Sequence, residues 1–217
     1  MKTSLLNTFG IGLVLSALPA LADDSKHMVT FGANGLGWSG SVEQMSTDNT
    51  SAFDSIKNIS DGLSLNYAYR ITKQQQIGFF YQTSNSEMKF KNRDGSETKS
   101  ERETDAYGVF AIHNFSEELK NSFYMGIGLS MFNVEEEVSH DFTKAEGKAP
   151  IETDDNGLNY ELTFGKRFAL NALNVQQLAY APQISAFYRT HGKDYDDQGV
   201  KEGVGGVIQP IRFDLLF

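Results

Sequence analysis

From Leu63 to Ile71 the chain sets a large apolar residue at every second position. Leu63, Leu65, Tyr67, Tyr69 and Ile71 are separated by Ser64, Asn66, Ala68 and Arg70. A period of two puts one set on one face of an extended strand and the other set on the opposite face. On a helix the same residues would scatter around the axis. The pattern returns at Phe123, Met125, Ile127, Leu129 and Met131, at Leu158, Tyr160, Leu162 and Phe164, at 178–188, and at Ile211, Phe213, Leu215 and Phe217. Weaker forms span 29–38, 76–90 and 105–115. In the last of these, Phe110 and Ile112 compete with Tyr107, Val109 and Phe115, and the sequence leaves the outward parity open.

Eight strands are predicted, and their connections alternate in length. Segments 72–75, 116–121 and 169–176 are short, whereas 40–60, 91–104, 135–156 and 191–205 are long and polar. Short turns at one end and long loops at the other describe an antiparallel up-and-down meander, an all-β fold. A soluble eight-stranded barrel has the same strand count. Face chemistry separates the two. One face of the best strands is large and apolar, while the other carries Asn66, Arg70, Glu161, Thr163, Arg167, Gln183, Arg189, Arg212 and Asp214. That second set is a poor hydrophobic core but a plausible barrel interior, so the apolar face is expected to point outward to lipid. Crossing a bilayer takes ~9–11 tilted residues, which these segments supply. Lipid offers no hydrogen bonds, so such a sheet must close. The predicted fold is an eight-stranded transmembrane β-barrel.

Composition is consistent with this. Mean hydropathy is below zero, as expected when half of each strand and all the loops are polar. No segment after residue 22 approaches the 18 apolar residues of a spanning helix. The chain has no Cys, which removes disulfide scaffolds and thiolate metal sites. Its formal charge of −9, with no clustered basic face, argues against a nucleic-acid partner.

Residues 1–22 are predicted to be a cleaved signal peptide. Lys2 opens a short basic start, an apolar stretch runs from Leu5 to Leu18, and Ala20 and Ala22 give the A-x-A spacing ahead of Asp23. The barrel domain is then 23–217, exported through the inner membrane. Aromatics sit near strand ends: Phe115, Phe123, Phe168 and Phe217 beside the short turns, and Trp38, Tyr107, Tyr160 and Tyr188 toward the long loops, as two interfacial girdles would have them. Lys166 falls on the apolar face close to a strand end, from which it can snorkel.

The signal segment, the eight alternating strands and the terminal Ile211, Phe213, Leu215, Phe217 row together resemble the small eight-stranded bacterial outer-membrane β-barrels. The resemblance implies that this row is the signal read by the outer-membrane insertion machinery, after escort by periplasmic chaperones. It also implies contact with outer-membrane lipids and lipopolysaccharide. Pro210 departs from the pattern and fits a bulge or a strand start.

Such a barrel is only wide enough to be filled by side chains. An interior polar network of Arg70, Glu161, Arg167, Arg189, Arg212 and Asp214 is expected, pairing Glu161 with Arg189 or Arg212, and Asp214 with Arg167 or Arg70. Family members that modify lipid A need a His with a hydroxyl and usually a carboxylate. Of His27, His113, His140 and His191, the nearest such pair is His113 with Ser116, and no H-x-S occurs. No catalytic, cofactor or metal residues are therefore assigned. Segment 135–155 carries eight acids against Lys144 and Lys148. Asp194 to Gly199 opens like a calcium loop, but the twelfth position is Gly205 rather than Glu. Solvated charge is expected in these loops, with divalent cations at the lipopolysaccharide surface as a further hypothesis. The expected function is a monomeric, non-enzymatic envelope or surface-interaction protein. The alternatives are a narrow conduit for small or apolar solutes and, third, a lipid A modifying enzyme.

Overall fold

The computed structural model describes residues 25–33, 36–41, 58–91, 97–140, 151–170, 177–191 and 202–217. The expected signal peptide and the calcium-loop-like segment 194–205, except its last residues, lie outside them. The described strands are β1 (His27–Ala33), β2 (Leu36–Ser41), β3 (Asn58–Arg70), β4 (Gln75–Lys91), β5 (Glu97–Asn114), β6 (Phe123–His140), β7 (Ile151–Lys166), β8 (Phe168–Ala169), β9 (Leu178–Tyr180), β10 (Gln183–His191), β11 (Glu202–Gln209) and β12 (Ile211–Leu216). A 3-10 turn, Leu119–Asn121, precedes β6.

All are antiparallel members of one sheet, in the order β2-β11-β10-β7-β6-β5-β4-β3-β1-β12-β9-β8. Because β2 bonds β3 as well as β11, the order returns on itself. Several segments expected as one strand are divided, for local reasons. Pro182 and Pro210 have no N–H to donate and separate β9 from β10 and β11 from β12. Between β7 and β8 the Arg167 N–H bonds Ser122 O at 3.0 Å, beyond the start of β6.

Two expected loops are largely ladder. β4 and β5 stay paired to Lys91↔Glu97, and β6 and β7 to Val138↔Ile151. Ladder bonds are made by the backbone, so polar side chains do not interrupt them. A change of polarity had stood in for a change of structure.

The open parity of β5 is resolved. Tyr107 and Val109 are 48% and 60% exposed, whereas Ile112 is 6% exposed and Phe110 packs beside it. Across the middle of the sheet the outward rows are apolar, as at Leu65, Phe79, Ile127, Leu162 and Ile184. The interior is less polar than expected. Met28, Ala68, Ile112, Leu119, Tyr124 and Leu216 cluster at the short-turn end, and Ala106, Phe132 and Val134 form a second cluster. Inward aromatics fit because their register partners are glycines: Tyr124 lies opposite Gly165 and Phe132 opposite Gly157. A Cβ at Gly165 would run into the Tyr124 ring, and one at Gly157 into Phe132 and the Thr190 carbonyl.

Candidate functional site

The short-turn half of the interior is organised by Asp214, on β12. Its row faces inward and the side chain is fully buried. Arg167, also fully buried, donates from Nε to Asp214 Oδ2 at 2.6 Å. Thr30 Oγ1 of β1 donates to Oδ1 at 2.7 Å, and Arg212 Nε stands 3.4 Å from the same oxygen. Two guanidinium groups therefore share one carboxylate, and neutral acceptors take several of their remaining N–H groups. Arg167 reaches Asn114 Oδ1 and, at 3.3 Å, Gln76 Oε1. Arg212 reaches Gln183 Oε1. Tyr124 donates to the same Gln183 oxygen at 3.2 Å, with Arg167 4.6 Å over its ring. Each ion is buried beside an opposite charge and most of its polar atoms are engaged, the setting in which buried charge is tolerated; the exception is Arg212 Nε, which faces Asp214 Oδ1 at 3.4 Å without forming a hydrogen bond.

Three of the six expected network residues, Arg167, Arg212 and Asp214, meet in this way. Arg70 does not join them. It has inward parity but ends β3, and it turns to the rim, donating to the carbonyls of Thr72, Lys73 and Glu117. Glu161 forms no ion pair with Arg189 or Arg212 among the described residues. It accepts from Thr163 Oγ1 at 2.9 Å. Register explains why: Glu161 lies opposite Phe187, whereas Arg189 lies opposite Asn159, to which it donates at 3.3 Å. The Arg189 guanidinium rests on the rings of Phe187 and Phe132, at 4.4 and 5.1 Å.

Charge alone flagged too few residues. Thr30, Gln76, Asn114 and Gln183 are buried partners of the network; Gln183 was expected on the inward face, whereas Asn114 lies in the stretch whose parity the sequence left open. Leu119 was missed because it lies in a turn. It is 5% exposed and packs with Met28, Tyr124 and Leu216 across the short-turn mouth. Above this layer a cavity of about 50 Å³ is lined by Asn66, Gln82, Glu161, Thr163, Gln209 and Arg212 among others. That is room for water molecules, not for a solute.

Outside, aromatic rings band the short-turn end. Phe123 stacks on Phe164 at 6.0 Å, Phe168 on Tyr180 at 6.0 Å, and His27 on Phe217 at 5.7 Å. Lys166 Nζ sits between Phe123 and Phe168. Toward the other end Tyr160 meets Tyr188 at 6.1 Å, and Tyr81 donates to Asp105 at 2.8 Å. The Trp38 side chain lies outside the described residues. Of the terminal row, Ile211 is 57% exposed and Phe213 and Phe217 are half-buried. Leu215, expected to face lipid, is only 4% exposed, flanked in register by Val29 and Leu178.

Past the Tyr81 and Tyr107 level the outward rows turn acidic. Glu101, Glu137 and Glu152 are neighbours across three strands, as are Glu103, Glu135 and Asp154, and all six are exposed. Among the described residues no group of three or more His, Asp or Glu is placed to hold a metal. His113 and Ser116 form no catalytic pair: Ser116 Oγ accepts from Glu118 N at 3.2 Å, while the His113 ring meets Phe115 edge-on. The side chains of His140 and His191 lie outside the described residues.

A closed antiparallel sheet with an apolar exterior and a polar, ion-paired interior is the arrangement of a lipid-facing β-barrel. No protein-family model and no curated protein matches the chain. Among solved structures it is similar to Ail, the attachment invasion locus protein of Yersinia pestis, with TM-score 0.51 over 89% of this chain and 99% of that one at 9% identity. A second structure of Ail, in complex with the heparin analogue sucrose octasulfate, gives TM-score 0.50 over the same shares at 9% identity. Neisserial surface protein A gives TM-score 0.50 over 88% of this chain and 97% of that one, at 12% identity. These neighbours are small outer-membrane β-barrel proteins, and it is their fold that this chain shares.

Proposed function

We propose that the chain is an integral, monomeric barrel of the bacterial outer membrane, delivered by a cleaved signal peptide and periplasmic chaperones. In this reading it has a non-enzymatic structural or surface-interaction role, exercised through its long hairpins. The observation that carries it is the inversion of faces: Phe79, Val109 and Ile127 are 60%, 60% and 63% exposed, while Arg167 and Asp214 are fully buried.

The twelve segments group as eight spanning strands. Gln183↔Gly165 and Tyr180↔Phe168 belong to one register, which joins β7 to β8 and β9 to β10. Gly206↔Trp38 and Ile211↔Ala33 belong to another, which joins β1 to β2 and β11 to β12. Between Ile208 and Ile211, both outward, lie two residues instead of one, so the alternation changes phase at Pro210 while the register is kept. The terminal row ending at Phe217 is the segment the insertion machinery would read.

The outer hairpins meet lipopolysaccharide and extracellular partners. Their exposed acidic rows oppose a polyanion, so binding of a heparin analogue, as in the Ail complex, is not carried over to this chain. The Leu119 layer and the Arg167–Asp214 pair weigh against a solute conduit. Heat-modifiable migration on a denaturing gel tests the barrel: unboiled and boiled protein should run at different positions, and identical migration would overturn the reading. Planar-bilayer recording should show no sustained conductance, and lipid A mass spectra should be unchanged in deletion and overexpressing cells. Steady conductance would favour the conduit and altered lipid A the enzyme.

A further inference from the structure

Lys166 is the one lysine in the outward row Leu158, Tyr160, Leu162, Phe164, Lys166, Phe168. An ammonium on a lipid-facing surface is costly at the midplane and far less so near the interface, so its position and surroundings matter. It lies directly opposite Phe123 in the β6–β7 ladder. Its Nζ is 4.6 Å from the centre of the Phe123 ring and 4.9 Å from that of Phe168. Both rings are exposed outward, at 46% and 41%. Two aromatic faces thus hold a cation at the level of the short-turn girdle, a favourable arrangement when partly desolvated. They leave its charge uncompensated, because Lys166 has no carboxylate within 4.0 Å among the described residues.

The acids nearest in the chain are engaged elsewhere. Glu117 bonds Lys73 Nζ at 2.8 Å, and Glu118 accepts from Asn121 Nδ2 at 3.0 Å. The turn carrying them is tied to the same edge, since Asn121 Oδ1 accepts from Ala169 N at 3.2 Å. Lys120 stands one residue before Asn121 in that turn.

We propose that Lys166, cradled by Phe123 and Phe168, binds the phosphate of a phospholipid headgroup in the leaflet at the short-turn end. The proposal rests on the membrane reading above. It adds a defined anion to a girdle that would otherwise be only apolar and aromatic. The rings present surface to the glycerol and upper acyl carbons, which a free phosphate lacks, so the lipid is the better occupant. One lysine near an anionic surface is worth ~1 kcal/mol, equivalent to about fivefold in retention.

The test uses the full mature chain folded in neutral detergent, titrated with phosphatidylglycerol and scored for bound lipid by native mass spectrometry. Lys166→Met should retain about fivefold less lipid than wild type, Lys166→Arg should retain wild-type levels, and Lys99→Met, at the opposite end of the sheet beside Glu101, should change nothing. Inorganic phosphate at equal concentration should not compete. The proposal fails if Lys166→Met retains as much lipid as wild type, if uncharged diacylglycerol is retained equally well, or if inorganic phosphate displaces the lipid. Lys166→Gln repeats the measurement should the Met variant not fold. Heat-modifiable migration of the same samples separates the two claims: a variant that shifts on boiling while lipid retention is unchanged refutes the lipid site and leaves the barrel standing.

Discussion

Replacing Asp214 by Ala should destabilise the folded chain by ~3–5 kcal/mol, the cost of removing one partner from a buried ion pair and stranding the other. The structure places this change at the severe end. Arg167 is fully buried and Arg212 is 2% exposed, and Asp214 is the carboxylate both approach, so two cations lose their anion at once. Thr30 loses its 2.7 Å acceptor as well. The assay is reversible urea unfolding in phospholipid vesicles, followed through Trp38, the single tryptophan of the chain, with gel migration as a second readout. Arg167→Met, Arg212→Met and Asp214→Leu combined should recover much of the loss, because replacing a whole buried ionic triad by packed apolar residues of similar volume is often neutral or stabilising. A deficit below ~1 kcal/mol for Asp214→Ala would refute the reasoning. It would mean that water reaches both guanidinium groups and that the interior is not sealed at this level.

Other consequences follow from single contacts. Gly165→Val should destabilise by roughly 1–3 kcal/mol as an overpacking change, since its side chain meets the Tyr124 ring that lies between Arg167 and Arg212; lowered urea midpoints in vesicles check this. Glu137→Gln should raise the urea midpoint, because Glu137 is flanked by Glu101 and Glu152 in register and like charges opposite one another are destabilising. The gain should shrink as NaCl is raised, through screening. Deleting Phe217 should lower the amount of heat-modifiable protein assembled in cells while leaving folding into vesicles largely intact. His27 and Phe217 do exchange two backbone bonds, at 2.8 and 2.9 Å, but Phe217 is a terminal residue whose proposed role is in recognition. Equal losses in cells and in vesicles would show that its role is structural alone.

The parts of the fold that were legible in the sequence are those a period of two encodes. The rows from Leu63, Phe123 and Leu158 face outward as their alternation requires. Strand ends were harder, because composition changes where the surroundings change, while the ladder continues through Glu97–Asp105 and Val134–His140 on backbone bonds alone. The parity of β5 was undecidable locally, since both of its faces carry aromatics. It is settled by partners on other strands, where inward Phe110 packs on Phe80 at 6.3 Å. Parity within one strand cannot contain that information.

The interior network shows a related limit and its cause. Inward parity identified Arg70, Glu161, Arg167, Arg189, Arg212 and Asp214 as sharing one face, but which of them meet depends on stagger between strands distant in the chain. Asp214 and Arg167 are brought together because β12 and β9 pair below Pro210 while β7 ends at Lys166, which puts the inward residues at both strand ends on one level. Arg70 reaches the end of β3 too, but the Thr72–Gln75 turn offers carbonyls close at hand, and the two local acceptors Thr72 O and Lys73 O cost less chain ordering than a span across the barrel. The same accounting explains the neutral partners. Once one carboxylate serves two guanidinium groups, the remaining N–H groups need acceptors that add no charge, and Gln76, Asn114 and Gln183 supply them. A reader of sequence who seeks buried arginines should therefore look as hard for inward Gln and Asn as for inward acids.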